Sequence, residues 1–472
     1  MGESHGGGGG AVMVAGLFDS VVFLFTFLPV VLFLYYLMPG QLKNVLLLLA
    51  SLVFYAWGEP AAVFVLAGMI LFNYACGLHI AGVLKNRRRA RAGLMFCVIV
   101  DLGVLGFFLF GRTVLGGLNM ILPVQIPFQG FALPMGMSFY TLQLLSYIID
   151  VYRGKVKAQK NPADLALYAA MFIKMPGGPV ALYSEMEKQL RARQISPGKV
   201  GEGVMYFVRG LSKKVLFADN IGLLFAEVMA MDAGQRSVLS AWLGCAAFAF
   251  KIYYNLSGYT DMALGLGKMT GFELPGNFDY PYLAGSTTEF WYKWHMSLGG
   301  WFREYVYHPL GGGDAEELKQ VRNILLIWLM AGLAYGLSGN YVVWGLYCGI
   351  LMVAEKLFLW RMLDRMPGFL GHIYSIVMVM IGWVFFFSPG AGGGFAYLGN
   401  MFGIGAAGLA DDRGMYLLVT NLGLLIIMAV GLLPLVHKGY ESIMDRGGRG
   451  LALVNCVIYG VMFGLCVVYI VC

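Results

Sequence analysis

Apolar residues run along this chain in long blocks divided by short polar ones, as at 93–110 and 451–470. Each block is near the ~20 residues that a membrane-spanning helix needs. A transmembrane barrel would instead alternate apolar and polar residues along segments of roughly ten. The pattern therefore predicts an all-α fold, a polytopic transmembrane helical bundle. The predicted spans cover about 20–37, 45–57, 61–84, 93–110, 134–151, 215–230, 239–254, 323–337, 341–360, 372–387, 416–435 and 451–472. That makes about eleven or twelve crossings, with the short 45–57 run tilted or partly embedded. The first run is too long for a signal-peptide core and has no basic flank before it, so it reads as a retained helix. Residues 1–16 are expected to be a disordered, polar, Gly-rich tail, and 17–472 a single membrane-embedded domain. Between 164 and 183 the break Pro176-Gly177-Gly178-Pro179 argues for a broken or re-entrant helix held inside protein, since lipid does not tolerate unpaired backbone.

Composition agrees. Of 472 residues 59% are hydrophobic and 12% charged, about half the roughly 25% charge of a soluble domain. A soluble enzyme, a disordered protein and a nucleic-acid binder are excluded on that ground. The balance of 33 Lys+Arg over 26 Asp+Glu, a net +7, lies in short clusters between apolar runs. Such clusters mark the cytoplasmic side. The strongest is Lys85, Arg87, Arg88, Arg89 and Arg91; Arg153 to Lys160, Lys188 to Lys214, Lys356 to Arg365 and Lys438 to Arg449 fit the same side. The Gly-rich loop 389–412 then falls outside, and both termini come out extracytoplasmic. The seven cysteines lie mostly inside apolar runs with no CxxC pair, and read as small buried hydrophobes rather than a zinc or disulfide framework.

The stretch 258–314 stands apart. It is less hydrophobic and dense in aromatic and polar side chains, so it makes a poor span and too apolar a free loop. It is expected to pack partly buried into the bundle. His295 follows Trp291 and Trp294 and has Glu289 and Arg303 nearby. Its local surroundings alone favour an interfacial aromatic cluster, with a general base in a sheltered pocket, where imidazole titrates near neutral pH, as the functional alternative. His308, before Pro309, reads as a turn residue, and His5, His79, His372 and His437 as tail or span-end residues. Acids inside apolar surroundings, Asp101, Asp219 and Asp261, are functional hypotheses by default, with a cap or structural hydrogen bond as the plain alternative for Asp261. No GxxxxGK[ST], HExxH, GxSxG or metal-spaced cluster occurs, so the sequence implies no metal and no tightly bound cofactor.

Longer stretches carry a family resemblance: LFDSVVFLFTFLPVVLFLYYLMPG onward from Leu17, LPMGMSFYTLQLLSYIIDVYRG at 133–154, GGP at 177–179, GLSKKVL at 210–216, and SGYTDMALGLGKMTGFELPGNFDYPY, EFWYKWHMSL and WFREYVYHPLGG within 257–312. Over about 17–357, with its site-bearing part near 250–345, the chain resembles the membrane-bound O-acyltransferase family, in its bacterial alginate O-acetyltransferase-like branch. The resemblance implies a multi-helix bundle around a tunnel in a bacterial cytoplasmic membrane. It also implies an acyl donor such as acetyl-CoA or another thioester, and an acceptor that is an exported polysaccharide or an extracytoplasmic partner. His295 stands at the family's first catalytic histidine. The second belongs to a Trp-His-Gly motif, and here Ala334-Tyr335-Gly336 replaces it. A Phe-Asp-Phe-Ser stretch reads Tyr254-Asn255-Leu256-Ser257, and a paired arginine reads Tyr292-Lys293.

Tyrosine, with a reference pKa of about 10, cannot take a proton at neutral pH as imidazole does, though it can donate a hydrogen bond. Losing a general base typically costs about 10²–10⁴ in rate. The first reading is therefore an O-acyltransferase with His295 as its catalytic histidine and Tyr335 orienting donor or acceptor. Asn255, Asp261, Glu289, Arg303 and Glu304 would support the pocket, with Trp291, Trp294 and Trp301 shaping the tunnel. The second is a scaffold of the same fold that binds a donor or partner without turnover. A transporter would need charged pairs facing each other within spans, and the chain offers mainly isolated acids.

Overall fold

The computed structural model of the chain describes residues 18–121, 132–314, 316–444 and 447–471. The tail with His5, and the side chains of His437, Arg446 and Arg449, lie outside what is described. The described chain is helical, and the one extended pairing in it is a single bridge between Phe278 and Trp294. Its helices begin with α1 (Phe23–Leu37), α2 (Lys43–Gly58), α3 (Ala62–Val83), α4 (Arg87–Ile121), α5 (Met137–Arg153), α6 (Pro162–Ala170) and α7 (Tyr183–Arg191). There follow α8 (Pro197–Ser212), α9 (Asn220–Met229), α10 (Val238–Thr270), α11 (Thr287–Lys293), α12 (Met296–Phe302) and α13 (Glu317–Leu333). The chain closes with α14 (Gly339–Arg365, containing a π turn at Glu355–Leu359), α15 (Gly368–Phe387), α16 (Gly390–Met401), α17 (Asp412–Gly431), α18 (Pro434–Met444) and α19 (Arg449–Val471).

Seven of these are long and apolar enough to cross a membrane: Gly40–Gly58, Ala62–Val83, Arg87–Ile121, Gly339–Arg365, Gly368–Phe387, Asp412–Gly431 and Gly450–Val471. Phe23–Leu37 is a shorter apolar helix. The other predicted spans form helices of a different kind. The run at 134–151 becomes α5, whose Gln143, Ser146 and Asp150 are buried in protein. The run at 215–230 lies in a longer helix that continues from Pro197 through a π segment at Lys213–Asp219 to Met229. The run at 239–254 does not stop at the polar residues after it: α10 continues to Thr270, with Ser257, Thr260 and Asp261 buried. A helix pairs its own backbone groups, so an apolar run can end while the helix carries on.

The chain forms two compact units. The first comprises the described residues of 18–207 and 259–275. In it, Asp101 of α4 accepts from Asn73 Nδ2 of α3 at 2.9 Å, both side chains fully buried. The predicted break appears as α6, then non-helical backbone through Pro179, then α7. Protein contacts hold this segment: Ser51 Oγ accepts the Phe172 N–H at 3.0 Å, and the buried Lys174 amine donates to Tyr168 O of α6 at 2.7 Å and to Gln143 Oε1 of α5 at 3.1 Å. The basic cluster from Lys85 to Arg91 is exposed where α3 gives way to α4.

The second unit comprises residues 208–258 and 276–470. Its hairpin α13–α14 closes on glycines. A Cβ on Gly332 would stand 2.4 Å from Tyr341 O, and one on Gly345 2.5 Å from Trp328 O, so only glycine permits this approach. The tight hairpin sets the turn that carries Tyr335 beside α15.

Candidate active site

His295 sits between α11 and α12 in the second unit. Its backbone is left-handed, φ 48° and ψ 50°. Among the described residues only Tyr280 and His295 are non-glycine residues with positive φ, and both belong to one small ribbon. Such conformations cost of order 1–3 kcal/mol and persist where the surroundings over-determine them. Here the surroundings can be named. Asp279 N–H donates to Lys293 O at 3.1 Å, and Met296 N–H to Asn277 O at 2.9 Å, bracketing the Phe278–Trp294 bridge. Asn277, 1% exposed, accepts at Oδ1 from the Ser297 N–H at 3.2 Å and Oγ at 2.5 Å. His295 O in turn accepts from Leu298 and Gly299 N–H, each at 3.0 Å. Histidine is among the residue types that tolerate this region best.

The ring is half-buried, with Nδ1 out of contact with solvent. Burial pushes the imidazole down to about 4 from its ordinary 6.5, so the neutral form, able to accept a proton, prevails at neutral pH. Phe278 stands 6.2 Å from the His295 ring and 5.1 Å from Trp294. From Trp294 an aromatic wall continues through Trp383 at 5.2 Å and Trp291 at 6.4 Å. Trp291 meets Trp328 at 4.7 Å and Trp344 at 5.8 Å, and Trp344 lies nearly parallel to Trp383.

The far end of this wall is Tyr335. It lies in the turn between α13 and α14, 51% exposed, with its ring 5.8 Å from Trp344 and 4.8 Å from Phe386. The two positions where the resemblance implies histidines are thus joined by one continuous set of ring contacts. A half-exposed phenol in a turn can donate a hydrogen bond; it lacks the chemistry of a neutral-pH base.

The other predicted site residues fall in three places. Glu289, on α11, accepts from the Gly285 N–H at 2.8 Å and pairs with Lys293 at 2.8 Å. Burial pushes its carboxyl up, but the Lys293 ammonium and the Gly285 N–H outweigh that and hold it below the usual range. Arg303 and Glu304 begin the π turn at Arg303–Tyr307; Arg303 is exposed and stacks on Tyr292 at 4.4 Å, while Trp301 packs on Tyr305 at 5.4 Å. Asn255 is half-buried on α10 in the second unit, whereas Asp261, 7% exposed, belongs to the first unit. His308 is exposed at the turn after the π segment, as a turn residue would be.

Sequence reasoning passed over Asn277, Phe278, Trp344, Trp383 and Phe386 as site residues. The aromatic richness of 277–305 was visible, but nothing in the sequence pairs it with rings some 50 to 90 positions on.

The pattern of the membrane-bound O-acyltransferase family matches residues 159–390, a stretch containing the whole wall and running past Leu357. A probable alginate O-acetylase of Pseudomonas aeruginosa is 39% identical over 375 residues, 78% of this chain and 72% of that protein. A peptidoglycan O-acetyltransferase of Helicobacter pylori is 31% identical over 428 residues, 83% and 81% of the two chains. A teichoic acid D-alanyltransferase of Bacillus subtilis is 24% identical over 337 residues, 67% and 84%. With apolar helices of spanning length, a histidine held in a buried aromatic frame, and relatives of this identity over most of their length, the chain is a multi-pass membrane protein that belongs to the membrane-bound O-acyltransferase family.

Proposed function

We propose that this protein transfers an acyl group, acetyl, from a cytoplasmic thioester such as acetyl-CoA to a hydroxyl of an exported polysaccharide or of an extracytoplasmic acyl-transfer partner. It works in the bacterial cytoplasmic membrane, in contact with lipid, with its basic loops inside and both termini outside. The observation that carries this reading is the left-handed, partly buried His295 at one end of the aromatic wall. A neutral imidazole there can take the proton of the acceptor hydroxyl as its oxygen attacks the thioester carbonyl. The new C–O bond forms, the C–S bond breaks, and the departing sulfur leaves as the thiol with the proton returned by His295. Tyr335 would orient the donor or acceptor by hydrogen bonding, and the indole wall would exclude water from the thioester. The named activities of the relatives, two of them O-acetyl transfers, support the acyl class.

One observation favours a second reading. Tyr335 occupies the family's second histidine position and is half-exposed in a turn. On that basis the chain would bind donor or partner without turning over. Thioester-dependent CoA release by the purified protein decides between them, with acetyl-CoA and a crude polysaccharide fraction, comparing wild type, His295→Asn and Tyr335→His. Turnover in the wild type that His295→Asn abolishes supports the transferase. A silent wild type with activity gained only in Tyr335→His supports the binding role.

A further inference from the structure

α11, the helix that leads into His295, begins against a carboxylate from a distant part of the chain. Glu355 Oε1 accepts from the Thr287 N–H and from Thr287 Oγ1, each at 2.7 Å, and Oε2 accepts from the Thr288 N–H at 2.8 Å. Glu355 is 3% exposed and lies within the apolar helix Gly339–Arg365, where an ionisable side chain is expensive to keep. All three contacts run from donors at the start of α11 to the acid. First-turn N–H groups have no acceptor within their own helix, and hydrogen bonds to a charged group are stronger than neutral ones. A helix of seven residues cannot hold itself together in isolation, so its place is set by what it is tied to.

The remaining ties come from α15 and from the turn itself. Ser375 Oγ donates to Ser286 O at 3.1 Å, His372 Nδ1 is 3.2 Å from Ala284 O, and Ser286 Oγ accepts from the Glu289 N–H at 3.0 Å. Of these anchors, Glu355 is the one that holds the first turn of α11 through three bonds. It does so from α14, the helix that also carries Trp344. α11 carries Phe290 and Trp291 and hands the chain to Trp294 and His295. Thr287 and His295 are thus the two ends of one short segment, α11 and the two residues after it.

We propose that Glu355 is a positioning residue for the His295 site, fixing the register of α11 against α14 so that His295 is presented at the end of the aromatic wall. This rests on the reading of His295 as the catalytic group. The test compares Glu355→Gln and Glu355→Ala in the full-length purified protein. Glutamine keeps the Oε1 acceptor for both Thr287 donors and loses the one opposite Thr288; alanine loses all three. Per folded molecule, Glu355→Ala is expected to lower kcat by about 10²-fold, the effect of roughly an ångström of misplacement, with KM for acetyl-CoA unchanged and Glu355→Gln falling between.

A second readout needs no turnover: carbethoxylation of His295 by diethyl pyrocarbonate, read by peptide mass spectrometry against exposed His308. Its rate relative to His308 is expected to rise in Glu355→Ala and, less, in Glu355→Gln. Lower folded yield with unchanged kcat per folded molecule and an unchanged His295/His308 ratio would overturn the proposal, as the mark of a purely structural carboxylate. A silent wild type would sink the transferase reading, and the modification ratio alone would then decide for or against Glu355. If the alanine variant does not fold, the glutamine variant carries both readouts.

Discussion

The protonation of His295 gives the most discriminating prediction. Burial lowers its pKa to about 4, desolvation being the cause. An ordinary imidazole titrating at about 6.5 would be only about a quarter neutral at pH 6, whereas one titrating at about 4 is about 99% neutral there. If neutral His295 is the base, kcat/KM for thioester-dependent acetyl transfer stays flat from pH 8 down to pH 5 and falls only as the pH approaches 4. The assay is CoA release across that range in a constant-ionic-strength buffer, with His295→Asn as the control. Asparagine tolerates left-handed backbone, so the bonds from Leu298 and Gly299 to the residue 295 carbonyl survive while the imidazole is gone. Expected is a loss of about 10²–10⁴ in kcat without the acid limb.

The same shift has a stability sign. The folded state binds fewer protons than the unfolded chain between about 4 and 6.5, so the contribution is fully present above 6.5 and is lost as the pH falls towards 4. An acid limb centred on 6.5 would refute the buried-imidazole argument, as would an Asn variant that keeps the wild-type rate.

Three further outcomes follow from the geometry. Gly332→Ala places a Cβ 2.4 Å from Tyr341 O, and the hairpin should lose about 1–3 kcal/mol, seen as a lower Tm in detergent; an unchanged Tm would contradict the packing. Asn277→Ala removes the acceptor of both Ser297 donors and should destabilise by about 1–3 kcal/mol and slow turnover, measured by thermal unfolding and CoA release together. Lys174→Met removes from the non-helical segment the amine that donates to Tyr168 O of α6 and Gln143 Oε1 of α5; unpaired buried acceptors of that kind are worth about 1–3 kcal/mol in an unfolding measurement.

The helical class and the broken segment around Pro176–Pro179 were readable from apolar run length and Pro/Gly placement, and the family resemblance singled out His295 as the candidate. Run length failed where polar residues sit inside protein rather than lipid. Asp261 and Thr260 look like the end of a span in sequence, yet they are buried mid-helix in α10. The acids illustrate the same limit from the other side. Asp101 was visible as an acid in an apolar run, and its partner Asn73 is on the neighbouring helix. Glu355 is an acid in an apolar run of the same kind, but its meaning resides in Thr287 and Thr288, some seventy residues earlier, and no local pattern links them.

Tyr335 shows what geometry adds to a motif. In sequence it is a missing histidine. In the fold it ends a wall of rings that begins at Phe278 beside His295, with Trp344 and Trp383 carrying the contact between them. Those rings come from α11, α13, α14, α15 and the Phe278–Trp294 ribbon that flanks α11, and each must be placed for the wall to be continuous. On the proposed reading the frame brings two groups to one site, an imidazole and a phenol, and the phenol can donate a hydrogen bond but cannot take a proton at neutral pH. A frame kept for binding alone would not need the left-handed turn at His295, with the two carbonyl bonds and the Asn277 clamp that enforce it. That strained turn orients a single imidazole, and orientation of a proton acceptor matters to a reaction far more than to a binding surface.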